Sequence, residues 1–121
     1  MSDEVFLTVF PLWLRAFAFT LAVEVPIFAW IGKREFPATS LPRLSAAGAA
    51  GTCITHPLFW FAWSLVVPDY TWYMISGELL VALFETGTFA LLARVPFPTA
   101  FIASFAANAA SWAAGALLSA I

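Results

Sequence analysis

Glu24, His56, Glu78, Glu85 and Asn108 each interrupt a long run of apolar residues. Carboxyl, imidazole and amide groups in such surroundings can pass a proton, hold a cation, or satisfy one another across a helix interface. Their placement is costly. A charged residue at the centre of a membrane helix costs about 2.5–3.5 kcal/mol on the more lenient insertion scale. Carboxyl groups can lower that cost by taking up a proton.

Helical spacing asks which of these groups can meet. Glu78 and Glu85 lie nearly on one face, about 10 Å apart along a helix axis. Gly48, Thr52, Thr55, His56 and Trp63 share a side, as do Ser104, Asn108, Ser111 and Gly115, and Thr20 sits one turn before Glu24. Counted from the ends that carry the basic loops, Glu24 and Glu85 lie about 10 Å deep and Asn108 and His56 about 15 to 17 Å. Glu78 falls nearer the opposite end. The spacing predicts a polar column of Glu24, His56, Glu78, Glu85 and Asn108, a candidate proton or cation site. Arg15 matches Glu78 in depth, but snorkelling to the headgroups is its plainer reading.

Two prolines adjoin this column. Pro26 removes the N–H that would bond the carbonyl of Ala22, beside Glu24, and Pro57 does the same for Cys53, beside His56. Both are expected to kink their helices and expose an oxygen next to a titratable side chain. Glu24, His56 and Glu85 also form an oxygen and nitrogen donor set that suits zinc, iron or manganese, so a divalent metal ion is the one cofactor the sequence suggests. Neither Glu-x-x-His nor His-Glu-x-x-His spacing reinforces it. No Gly-x-Ser-x-Gly element accompanies the serines, and Cys53, one turn before His56, reads as a packing residue. No residue is assigned a catalytic role.

The elements that must position these groups follow from composition. Of the 121 residues 63% are hydrophobic and 10% charged, against about a quarter charged in soluble domains. A soluble chain this short could not bury so much apolar surface, so its solvent is expected to be lipid. Apolar stretches cover residues 10–31, 45–67, 72–92 and 98–121, each long enough for one helix to cross a hydrocarbon core of roughly 30 Å. The short alternating strands of a β-barrel are absent. Short connections make sequence neighbours antiparallel. The expectation is an all-α integral membrane protein, one domain over residues 1–121, with four transmembrane helices in an antiparallel up-down bundle. "MSDEVF" lacks the basic n-region of a cleaved signal peptide, so the first helix is expected to be retained.

Lys33, Arg34, Arg43 and Arg94 fall in the first and third connections, against Arg15 alone near the other side. That bias predicts loops 32–44 and 93–97 in the cytoplasm and both termini outside, in a bacterial inner membrane. A net charge of −2 without a basic block excludes nucleic acid as a natural partner. Ala103, Ala107, Ser111 and Gly115 form a small-residue stripe that permits close helix packing, in the bundle or between subunits. The expected partners beyond the lipid bilayer are therefore copies of the chain or other membrane subunits.

In size and helix count the chain is similar to the small multidrug transporters, whose first helix also carries an acidic residue, and to the fluoride channels. The pattern around that acidic residue and the channels' glycine-rich arginine motif are both absent, so no family is assigned. Three functions fit the residues: conduction or transport of protons or a cation, an accessory subunit of a larger membrane complex, and an intramembrane metal-binding protein or enzyme.

Overall fold

The structure, a computed structural model, describes residues 2–120 and is helical wherever it is regular. Helix α1 spans Asp3–Glu35, α2 Leu41–Leu58, a π-helical stretch Phe59–Trp63, α3 Ser64–Val66, α4 Tyr70–Ala93 and α5 Phe97–Ala120. The π stretch joins α2 to α3 without a break, so four helical rods result. Ile121, where the fourth apolar stretch ends, lies outside the described residues.

Caps explain why the rods outrun the apolar stretches. Ser2 Oγ accepts from the Val5 N–H at 3.3 Å, Ser40 Oγ from the Arg43 N–H at 3.3 Å, and Asp69 Oδ1 from the Trp72 N–H at 3.0 Å. Each satisfies an otherwise orphaned amide of a first turn. With Asp3 and Glu4 also in its first turn, α1 begins well before Phe10. At the other end of α4, Arg94 turns left-handed (φ 56°, ψ 48°), which lets the Val95 N–H reach the Ala90 carbonyl at 3.2 Å.

Three rods, α1, α4 and α5, are long and apolar enough to cross a membrane. The second differs because α2 is rich in Ala, Gly and Thr and carries His56. Those small residues let other helices approach closely. A Cβ at Gly48 would come within 2.8 Å of the Phe28 Cβ, and one at Gly51 within 3.0 Å of the Glu85 Cγ. Around the bundle, α1 packs on α2 and α5, and α4 packs on the same two.

The apolar core sits at one end of the bundle. Phe28 and Phe89 are fully buried with ring centroids 4.7 Å apart, and Leu44, Ala47, Ala93 and Ala103 close around them. Val95, from the connection between α4 and α5, is buried in the same core. Two basic side chains tie the loops at this end: Lys33 Nζ donates to the Thr39 carbonyl at 2.9 Å and Arg43 Nε to the Leu92 carbonyl at 3.1 Å. The opposite end is not filled in this way, and there the polar residues lie.

Pro26 and Pro57 both lie inside helices. The helix carries on past Pro57 and widens to π geometry two residues later. Tyr73 Oη on α4 donates to the Phe59 carbonyl at 3.0 Å and so ties the π stretch to α4. The small-residue stripe of α5 divides along its length. Ala103 and Ala107 are fully buried in the core, whereas a Cβ at Gly115 would meet nothing within 4 Å. Within the one chain the stripe packs at Ala103 and Ala107, while Gly115 borders the cavity described below.

Candidate functional site

Glu24 on α1 and Glu85 on α4 are buried, 2% and 1% exposed, and meet between the helices. A single hydroxyl links them: Thr52 Oγ1 on α2 lies 3.0 Å from Glu24 Oε1 and 3.3 Å from Glu85 Oε1. Thr55 Oγ1 donates to the same Glu85 oxygen at 2.9 Å, and Asn108 Nδ2 to Glu85 Oε2 at 2.8 Å. Ser111 Oγ donates to Glu24 Oε2 at 2.6 Å. Every rod thus contributes, and all four carboxyl oxygens are engaged.

The hydrogen inventory constrains what this cluster can be. A threonine hydroxyl has one proton to donate. Thr52 Oγ1 nevertheless lies within reach of two carboxyl oxygens and, at 3.4 Å, of the Gly48 carbonyl. It can donate to one glutamate only. The contact with the other is a hydrogen bond when that glutamate carries a proton and donates it to Thr52. The arrangement suits one proton held between two carboxyls through an intervening hydroxyl, which also avoids two adjacent buried anions.

These carboxyls form the floor of a cavity of about 780 Å³. Thr52, Thr55, Asn108 and Ser111 line it beside them, Glu78 and Val81 lie further along α4, and Tyr70 and Ser119 stand at its far end. The Phe28–Phe89 core closes the bundle beneath. Glu78 is half-buried and separate from the Glu24–Glu85 pair, while Arg15 is exposed and outside the cavity lining.

His56 also lines the cavity but does not join the cluster. Its Nε2 lies 3.3 Å from Thr20 Oγ1, and its ring packs among Trp13, Phe17 and Trp60. Among the described residues, its Nδ1 and the Trp13 Nε1 are buried without a hydrogen-bond partner. Depth alone placed His56 beside Asn108, but rotation about α2 turns it towards α1. The metal-ligand set Glu24, His56 and Glu85 is corrected accordingly. Among the described residues no three His, Cys, Asp or Glu side chains come close enough to hold one ion.

Four participants escaped the sequence reading as site members. The sequence sets Thr52 and Thr55 on a polar face and Ser111 on a polar face and in a packing stripe, and it gives Tyr73 no role. The usable signal was the spacing Thr52–Thr55 and Asn108–Ser111, each one turn apart on a helix that already carried a demanding polar residue.

No protein-family model matches the chain, and neither a curated protein nor a solved structure matches it.

Proposed function

We propose that the protein is a membrane-embedded up-down bundle of four helices that transports protons or a cation by loading the Glu24–Glu85 pair from one side. One observation carries this reading: two buried carboxyls, linked through Thr52, form the floor of a cavity lined by all four rods. An ionisable residue at membrane depth that faces a cavity is a functional site by default. The apolar length of α1, α4 and α5 supports the membrane setting.

The Phe28–Phe89 core favours alternating exposure over a standing pore. A water-filled path would have to cross a fully buried aromatic pair. Transport then requires that this plug loosen while the opposite mouth narrows. Lys33, Arg34, Arg43 and Arg94 lie at the plugged end, so the positive-inside rule sets the plug at the cytoplasmic face and the cavity mouth outside.

The test is proton flux in proteoliposomes under an imposed pH gradient, read with an entrapped pH-sensitive dye. Wild-type vesicles are expected to dissipate the gradient faster than empty ones, and Glu24→Gln with Glu85→Gln to abolish the difference. Equal rates for the wild type and the double variant would sink the proposal.

A further inference from the structure

The cavity is far larger than a proton needs, and its walls are unlike those of a metal site. Its volume of about 780 Å³ falls in the range of roughly 300–1,000 Å³ typical of organic-ligand pockets. Phe19, Phe59, Trp60, Tyr70, Tyr73 and Trp112 line it. The titratable side chains in its wall are Glu24, Glu78, Glu85, His56, Tyr70 and Tyr73, and among the described residues neither lysine nor arginine lines it. Aromatic faces attract cations through their quadrupole, most strongly where water is excluded. An apolar wall with a carboxyl floor therefore selects a ligand with an apolar body and a positively charged head.

A second opening agrees with an apolar body. A groove of about 240 Å³ runs between α4 and α5, lined mainly by apolar side chains such as Ile75, Leu79 and Phe105. It shares Met74, Glu78, Asn108 and Trp112 with the central cavity. A hydrophobic cation dissolved at the edge of the bilayer would meet this groove before it met bulk water, with Glu78 beside its path.

We infer that the cavity binds an organic ammonium ion, its cationic head towards Glu24 and Glu85 and its apolar body among the aromatic side chains. This rests on the transport reading above and names the cargo. Proton and ammonium ion then compete for one site: ammonium binding displaces the proton held by the carboxyl pair, and a returning proton displaces the ammonium ion. No bond other than O–H and hydrogen bonds changes.

The experiment is equilibrium dialysis of the purified protein in maltoside detergent against radiolabelled benzyltrimethylammonium. Saturable binding is expected, uncompeted by the neutral isostere neopentylbenzene or by potassium. Glu85→Gln should weaken binding about tenfold and Trp112→Ala about fivefold, the size of one desolvated charge contact and one cation–π contact. Trp112 is largely exposed, so its variant guards against a folding failure at Glu85. Absence of saturable binding, or equal competition by neopentylbenzene, overturns the inference. If Glu24-dependent proton flux persists without ammonium binding, only the cargo is wrong. If both are missing, the transport reading falls with it.

Discussion

Glu24 and Glu85 face each other across one hydroxyl, Thr52 Oγ1, at 3.0 and 3.3 Å. With a single proton to donate, Thr52 can bridge both only if one glutamate donates to it. Thr52→Val keeps the shape and deletes the bridge. It is expected to destabilise the protein by about 1–3 kcal/mol, the cost of leaving a buried polar group unsatisfied. Thr52→Ser, which retains the oxygen, should recover most of that loss. Thermal unfolding in detergent measures both. The infrared C=O stretch of a protonated carboxyl should shift in Thr52→Val and not in Thr52→Ser. An unmoved band would show that the pair does not share its proton through this residue.

Close helix approach makes a second, sharper contrast. A Cβ on Gly77 would overlap the Phe59 ring and come within 3.0 Å of Trp63, whereas a Cβ on Gly87 would meet nothing within 4 Å. Gly77→Ala must push the π stretch away from α4 and should cost about 1–3 kcal/mol. Gly87→Ala gains helix propensity and should raise stability by up to about 1 kcal/mol. The two melting temperatures should move in opposite directions. A shared direction would mean that the Phe59–Gly77 contact is not made.

Why the sequence revealed some of this and not the rest is a matter of which coordinate each residue fixes. Apolar length fixes helices well, since a run of some twenty apolar residues has few other solutions. Residue count along a helix fixes depth, and depth alone brings Glu24 and Glu85 to one level with Asn108 about a turn further in. It does not fix rotation. His56 lies one turn beyond Thr52 on α2, yet it turns to Thr20 and away from the carboxyls. Gly115 likewise keeps the spacing of a packing stripe but, within the one chain, borders the cavity, because α5 outlasts the core it packs against. The π stretch after Pro57 was not legible, since the missing N–H marks a disturbance without saying how the chain absorbs it. The two threonines were hidden for a plainer reason. Hydroxyls are cheap at membrane depth, so nothing in their type demands a partner, and only the carboxyls they serve give them meaning.

The plug offers a prediction in which stability and leak part company. Phe28 and Phe89 are fully buried against each other. Phe89→Ala opens a void and should cost about 3–5 kcal/mol. Phe89→Leu keeps most of the volume and should cost less than about 1.5 kcal/mol. If this pair is the barrier between the cavity and the basic end, Phe89→Leu vesicles should leak protons no faster than wild type, while Phe89→Ala vesicles leak faster even when Glu24→Gln is present. A leak that still needs Glu24 would place the barrier elsewhere.

Sidedness can be read from two single cysteines. Cys53 is the one native cysteine, so a Cys53→Ala background is free of competing thiols. Ala38 lies between α1 and α2, at the end that carries Lys33, Arg34 and Arg43, and Ser119 lies near the far end of α5, at the cavity mouth. Both are exposed. The charge bias, three basic residues around one connection and Arg94 at the other, predicts that end inside. In intact spheroplasts a membrane-impermeant maleimide should therefore label Ser119→Cys and leave Ala38→Cys unlabelled until the membrane is permeabilised. Labelling of Ala38→Cys alone would invert the orientation, putting the cavity mouth in the cytoplasm and reversing the direction in which a cation loads. Labelling of both before permeabilisation would mean that the two ends share a side or that both orientations coexist, and the strong charge bias argues against either.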